Sequence, residues 1–219
     1  VDYENAALRE DFARSRSEPT GGGATPLMGQ GEARATGFVR GTVAWNGSGA
    51  AASAAPVALD TRIHDLWTTP HGAVKAALRN QPRAATRSEG GARYTTVSFS
   101  EPGRFEATVW IDAAGMVSRI DSRLPHPVLG DTEVTTTYSG WRDVGAGVKF
   151  PQRMQQSQGG HPTFDIGIKD VKPNAPVEAS VPEGVRSFAE RVTADKVADG
   201  VWFLAGGSHN SVAIEMKDH

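Results

Sequence analysis

Histidine is the first residue type to examine for chemistry, because its imidazole ligates metal ions and moves protons near neutral pH. The six histidines lie at positions 64, 71, 126, 161, 209 and 219. No two of them have the HxH, HxxH or HExxH spacing that brings two imidazoles to one metal ion. The sequence therefore predicts no metal site formed by a local motif.

His64 and His71 lie on either side of Pro70, so we expect them on two successive helices. One hypothesis is a histidine-based enzyme in which both side chains reach a common substrate position. The alternative is that both are hydrogen-bonded structural or surface side chains. His126 and His161 each precede a proline in turn-like sequence, and we expect both to be exposed.

The stretch "AGGSHN" near the end of the chain is a second candidate site, formed by Ser208, His209 and Asn210. Its two glycines would let the backbone approach another surface closely, although a tight hairpin turn explains the same composition. Ser208 and His209 cannot form a catalytic dyad within a strand, because neighbouring side chains point to opposite faces. With neither GxSxG nor SxxK in the sequence, we predict no catalytic residue and no metal ligand in this chain.

Charge and composition exclude several classes of function. The 23 basic and 25 acidic residues give a net charge of -2 without a long run of either sign, so we predict no nucleic-acid partner. The chain has no cysteine, which excludes disulfides and thiolate ligands. No apolar stretch approaches the roughly 20 residues that a membrane-spanning helix needs.

The sequence of the N-terminal quarter predicts few helices or strands. Residues 1–17 fit a strand or a helix, and we favour the strand. Residues 18–32 are rich in glycine and proline, which predicts a loop or a mobile lid. Alternating apolar residues then predict one strand over residues 37–45.

Two helices are predicted over residues 57–67 and 70–78. Thr69 is the expected N-cap of the second helix, with Pro70 as its first residue. We expect these apolar residues to recur on the buried helix faces: Val57, Leu59, Ile63, Leu66 and Trp67 in the first, and Ala73, Val74, Ala77 and Leu78 in the second.

From residue 93 to residue 171 the apolar period changes to two, which predicts a series of antiparallel strands. The segment "RFEATVWID" places Phe105, Ala107, Val109 and Ile111 on one face, and "DAAG" predicts the following hairpin turn. Later alternating residues are expected to extend the same apolar face: Val134, Thr136, Tyr138, Val148, Phe150, Met154, Phe164, Ile166 and Ile168.

The expected fold class is α+β, with a curved antiparallel sheet, a half-open β-barrel, wrapped around one or two short helices. We place one domain at residues 1–185, and a connector with a C-terminal β-hairpin at residues 186–219. The inner apolar residues either fill an ordinary core or line a cavity for a hydrophobic ligand. The candidate ligand-binding residues are Trp67, Phe105, Val109, Tyr138, Phe150 and Phe164.

Three stretches together resemble bacterial metallo-β-lactamase-fold hydrolases of the glyoxylase-like group that carry an extra N-terminal region. These are "IHDLWTTPHGAVKAAL", "VTTTYSGWRDVGAGVKFPQRMQQSQGGHPTFDIGIKDVKPNAPV" and "VADGVWFLAGGSHNSVAIEMKDH". The first two stretches resemble the N-terminal region, and the third resembles the first two strands of the hydrolase domain. The resemblance implies that the turn at Ser208, His209 and Asn210 overlooks the mouth of the active site.

That resemblance implies zinc as the cofactor of a longer parent protein and no cofactor in this chain, since the HxHxDH segment of the family is missing here. It also implies that the main partner is the remainder of the catalytic domain, with a hydrophobic small molecule and a homo-oligomer through the terminal hairpin as further partners. The curved sheet is similar to the periplasmic lipoprotein-carrier fold. Together the two resemblances imply a periplasmic or secreted protein whose leader has been removed.

Overall fold

The computed structural model describes residues 1–15, 31–126, 130–206 and 210–217, with the side chain of residue 126 left out. Antiparallel sheets dominate these residues and a few short helices join them, which confirms the predicted α+β class at this level. The α-helices are α1 (Leu59–Trp67), α2 (Pro70–Arg79) and α3 (Glu183–Arg186). Short 3-10 turns lie at Gly49–Ala51 and Pro56–Ala58.

The first sheet is formed by the N-terminal quarter of the chain. Its four strands follow chain order: β1 (Ala7–Arg14), β2 (Ala33–Arg40), β3 (Val43–Asn46) and β4 (Ser53–Ala54). The strand favoured over residues 1–17 is confirmed by β1, whereas the single strand expected over residues 37–45 is wrong. Gly41 has a φ of +58°, and this left-handed conformation turns the chain back on itself between β2 and β3.

The second sheet has seven antiparallel strands in the spatial order β13-β12-β9-β8-β7-β6-β5. The strands are β5 (Arg83–Glu89), β6 (Ala92–Glu101), β7 (Phe105–Ile111), β8 (Val117–His126), β9 (Gly130–Ser139), β12 (Arg153–Gln158) and β13 (His161–Gly167). A separate two-stranded ladder, β10 (Arg142–Asp143) with β11 (Lys149–Phe150), interrupts the series. The expectation that Phe150 extends the face of the main sheet is therefore wrong.

The core lies where α1 and α2 separate the two sheets. Leu8 and Val39 contribute from the first sheet, Leu66 from α1, and Val109 and Ile120 from the second sheet, and all are buried in one cluster. Burial of this apolar surface is the main favourable term holding the sheets on the helices, at roughly 25 cal/mol per Å². α1 is thus enclosed between the two sheets, whereas one side of α2 is exposed.

α2 begins at Pro70, as the sequence predicts, whereas α1 begins at Leu59 rather than at residue 57. The Thr69 hydroxyl oxygen accepts a hydrogen bond from the Gly72 N–H at 3.3 Å, which confirms the N-cap, and Pro70 opens α2. The expected buried positions Val74 and Leu78 are wrong, because their residues are 39% and 75% exposed. The small residues Ala73, Ala76 and Ala77 face the core instead and let α2 lie close to the sheet.

Val57 is also exposed, because it lies in the 3-10 turn that precedes α1.

The predicted hairpin turn after β7 is confirmed. The Asp112 carboxylate accepts hydrogen bonds from the backbone N–H groups of Ala114 and Met116, both at 2.9 Å. Local turn chemistry of this kind is readable from four residues of sequence.

A third sheet is formed by β14 (Val192–Ala198), β15 (Val201–Gly206) and β16 (Ser211–Ile214). The hairpin of β15 and β16 was expected, whereas β14 was not. Neither buried cluster within the described ranges includes a residue of this sheet. Among the described helices, none has the length and apolarity needed to cross a membrane.

Candidate functional site

A polar cleft lies where the end of α2 meets strands β6 to β9. Its volume is about 790 Å³. Buried Phe99, Ala107 and Ser122 line it together with charged and amide side chains. The charged and amide members of the lining are Arg79, Asn80, Gln81, Arg83, Glu106, Asp121, Arg123 and Glu133.

A hydrogen-bonded pair, His64 and Ser122, links α1 to β8 beside this cleft. Ser122 Oγ lies 2.8 Å from His64 Nε2, and both residues are buried. The ring of His64 also makes an edge contact with Phe105, with centroids 5.0 Å apart. A buried imidazole and hydroxyl are costly in an apolar core unless each finds a partner, and here each partners the other.

The second nitrogen of His64 has no hydrogen-bond partner among the described residues. Its nearest charged neighbour is the Asp65 carboxylate, with Oδ1 3.6 Å from Nδ1. Glu10 also senses this carboxylate, since burial and the Asp65 charge together raise the pKa of Glu10. The imidazole of His64 therefore lies between the Ser122 hydroxyl of β8 and the Asp65 carboxylate of α1.

His71 occupies a different environment from His64. Its ring stacks on Phe150 with centroids 5.6 Å apart, and it makes an edge contact with Trp141 with centroids 6.4 Å apart. Burial, followed by the positive charge of Lys75, lowers the pKa of His71. The described polar and aromatic contacts of His64 and His71 have no residue in common, so these contacts do not bring the two histidines to one site.

Four of the six predicted ligand-binding residues meet in the core. Trp67, Phe105, Val109 and Tyr138 are each at most 5% exposed and belong to one buried cluster. Trp67 is held by Tyr3 and by the Arg79 guanidinium, whose carbon lies 3.7 Å from the indole centroid. Tyr138 donates its hydroxyl hydrogen to the Thr68 carbonyl. Contact of these four side chains with a ligand stays a prediction.

Phe150 and Phe164 are half-buried and are not members of either buried cluster in the described ranges. Phe150 contacts His71, as described above. Phe164 lines a second cleft of about 460 Å³ on strands β9, β12 and β13, beside threonine and glutamine side chains. The six predicted residues therefore occupy a core, an aromatic contact and a polar cleft rather than one cavity.

The predicted turn near the end of the chain is only partly described. Ser208 and His209 lie outside the described residues, and so does the region that includes the proposed lid at residues 18–32, apart from its last two positions. Asn210 is exposed, and its side-chain oxygen accepts a hydrogen bond from the Gly206 N–H at 3.4 Å. His161 is exposed, as expected.

Both faces of the third sheet carry apolar side chains. Cross-strand pairing places Phe203 opposite Val212 and Val201 opposite Ile214 on one face. Trp202 lies on the other face, opposite Ala213. Val212 and Ile214 are 59% and 62% exposed, so this apolar surface is not buried by the residues described. A strand with apolar residues on both faces is typical of a sheet that is covered on both sides.

Across residues 1–15, 31–126, 130–206 and 210–217, no three histidine, aspartate or glutamate side chains come together in a group suited to a metal. Comparisons of this chain with protein-family models, with curated proteins and with solved structures found no match.

Sequence reasoning missed Ser122 altogether. It lies in an alternating strand with no motif around it, and its partner His64 is 58 residues away along the chain. The one local signal is its position on the inward face of β8, two residues after buried Ile120. A serine at a core-facing position of a strand indicates a partner, without identifying it.

Proposed function

We propose that residues 1–185 form a non-catalytic accessory domain of an exported, zinc-dependent hydrolase of the metallo-β-lactamase fold. In this proposal residues 186–219 are a connector and the first strands of the catalytic domain. The accessory domain, a half-open barrel around α1 and α2, acts in substrate selection or in assembly. The protein would work in the periplasm or outside the cell.

The observation that carries this proposal is the two-sided apolar surface of β14–β16. Phe203, Val212 and Ile214 on one face and Trp202 on the other need further layers of structure to bury them. The remainder of a catalytic domain would supply those layers. Its zinc would activate water and polarise the scissile carbonyl through ligands that the described residues do not provide.

The test is the mass and metal content of the native protein. Antibodies would be raised against residues 7–167, which contain the first two sheets and are called the two-sheet region. They would isolate the native protein from its source for intact mass spectrometry and zinc analysis. We expect a polypeptide much heavier than this chain with about one or two zinc ions per molecule. A native polypeptide of this chain's own mass and without zinc would refute the proposal.

A second candidate function is a hydrophobic-ligand or lipid-binding module of the bacterial envelope. It is favoured by Met154, Phe164 and Ile166, which share the helix-facing side of β12 and β13, where Ile166 is 45% exposed. Native mass spectrometry of the purified chain would detect a bound apolar molecule. Phe164→Asp should abolish that binding, and unchanged loading of this variant would count against this function.

A further inference from the structure

Strand β5 forms one outer edge of the seven-stranded sheet, next to β6. All seven of its residues, Arg83–Glu89, are exposed, and among the described strands only β6 pairs with it. The free side of such a strand has a row of backbone N–H and C=O groups that the sheet leaves unpaired. These groups are available to a further strand from another molecule.

The opposite edge of the same sheet, β13, is interrupted. Pro162 has no backbone N–H, and the pairing of β13 with β12 shifts register between Gln156 and Ser157. Proline and irregular pairing are features by which sheet edges avoid pairing with other molecules. β5 contains no proline, and its pairing with β6 has no register shift. Of these two edges, β5 is therefore the one suited to accept another strand.

The hairpin turn after β5 determines which of its backbone groups are free. Gly90 and Gly91 form the turn with φ values of +58° and +79°, and Glu89 pairs with Ala92 across it. Residues that flank such a two-residue turn exchange hydrogen bonds, and bonded positions then alternate along the strand. The positions in between direct their backbone N–H and C=O groups to the free edge: Ala84, Thr86 and Ser88.

A second copy of β5 fits this edge in one register. When a two-fold axis perpendicular to the sheet relates two antiparallel strands, residues opposite each other lie on the same face. With the axis at Thr86 all seven residues pair, and Arg83 lies opposite Glu89 of the second copy. Moving the axis by one residue, to Ala85 or to Arg87, places arginine opposite arginine instead. Opposite charges stabilise such a pair and like charges destabilise it, so the charges select the register about Thr86.

The Glu89 carboxylate is available for this contact. It accepts two hydrogen bonds from Arg119, both at 2.8 Å, and its side chain is still 51% exposed. A carboxylate can accept further donors beyond these two. Because Arg119 already restrains the carboxylate, an ion pair with Arg83 of the second copy loses less side-chain entropy than a pair of two mobile groups.

We propose that two copies of this chain dimerise through β5, paired antiparallel about Thr86, so that one sheet continues through both. The backbone groups that are free on each edge then meet, since Thr86 lies opposite itself and Ala84 lies opposite Ser88. The side chains at these positions are small and do not hinder the approach of the two backbones. This contact is distinct from the terminal hairpin and does not depend on the zinc hydrolase proposed above.

The first test is a disulfide across the two-fold axis, which the absence of cysteine from the chain makes specific. Cα atoms of a hydrogen-bonded antiparallel pair lie about 5.5 Å apart, which a disulfide spans, so oxidation of folded Thr86→Cys should give a covalent dimer. Ser88→Cys is the matched control on the same edge. Its two copies would lie about 13 Å apart along the strands and should stay unlinked. Absence of the Thr86→Cys dimer, or equal linking of both variants, would overturn the proposal.

The second test is sedimentation velocity of the full chain with its charges exchanged. Arg83→Glu and Glu89→Arg should each weaken dimerisation about 10-fold or more, because like charges then lie opposite each other. An equimolar mixture of the two variants should dimerise again, since both ion pairs of the mixed dimer join opposite charges. Lys169→Glu makes the same change of charge as Arg83→Glu at an exposed position after β13, and it should leave dimerisation unchanged.

Three results of sedimentation would each overturn the β5 dimer: an unmodified chain that stays monomeric up to about 1 mM, a dimer that Arg83→Glu does not weaken, and a mixture that does not recover. Circular dichroism of each variant confirms that it is folded. None of these results bears on the zinc hydrolase, because that proposal is tested by the native mass and zinc content.

Discussion

The imidazole of His64 and the hydroxyl of Ser122 lie 2.8 Å apart inside the apolar core and connect α1 to β8. Because neither side chain is exposed to solvent, each depends on the other for a hydrogen-bond partner. The pair therefore contributes to the stability of the fold.

The stability of the pair is tested by a double-mutant cycle. Ser122→Ala should lower the free energy of unfolding by about 1–3 kcal/mol, because it leaves a buried imidazole nitrogen unpaired. His64→Phe in the Ser122→Ala background should cost less than the two single changes added together, since no polar group is then left without a partner. Urea unfolding measures all four proteins, and additivity within about 0.5 kcal/mol would contradict the expected coupling.

Tyr138 makes stability depend on pH in the alkaline range. Burial raises the pKa of Tyr138 above its ordinary value of about 10, so the native state keeps the proton that the unfolded chain loses. The unfolding free energy should therefore fall as pH rises above about 10. Tyr138→Phe should make this fall less steep, which urea unfolding at several pH values would show.

Tyr3 is the matched control for that measurement, because burial also raises the pKa of its phenol. The Tyr138→Phe chain should keep part of the alkaline loss through Tyr3, and the double Phe variant should keep the least. An unchanged slope in both variants would mean that neither phenol couples to folding above pH 10.

His71 provides a second titration. Burial is the larger cause of its lowered pKa and Lys75 the smaller, so Lys75→Met should raise the pKa while leaving it below its ordinary value. Because the unfolded chain binds this proton more readily, the contribution of His71 to stability is present above about pH 6.5 and is lost as pH falls. NMR titration of the imidazole measures the shift. Lys169→Met, at an exposed position after β13, is the control and should leave the titration of His71 unchanged.

The third sheet should tolerate charge that the core cannot. Ile214→Asp changes a residue that is 62% exposed, so we expect the unfolding free energy of the two-sheet region to change by no more than about 0.5 kcal/mol. Val109→Asp, at a residue 1% exposed in the core, should prevent folding. Urea unfolding followed by circular dichroism compares them. A loss above about 2 kcal/mol for Ile214→Asp would show that the third sheet contributes to the core.

Residues close together in sequence determined the helices and turns. Thr69 and Pro70 fix the start of α2, and Asp112 fixes the hairpin turn, because these bonds close within four residues. The alternation of Phe105, Ala107 and Val109 likewise identified a buried strand face. For such features the sequence contains both partners of each interaction within one short window.

Only the tertiary structure decided what meets across the core. In the tertiary structure β1–β4 form a sheet of their own, and Phe150 lies outside the main sheet. Trp110 is buried on the face opposite the core, where the guanidinium carbon of Arg119 lies 4.0 Å from its ring centroid. The tertiary structure also brought Ser122 to His64. An apolar period of two or of 3.6 residues indicates which side of a strand or helix is apolar. The element that covers this side depends on packing between segments far apart in the chain.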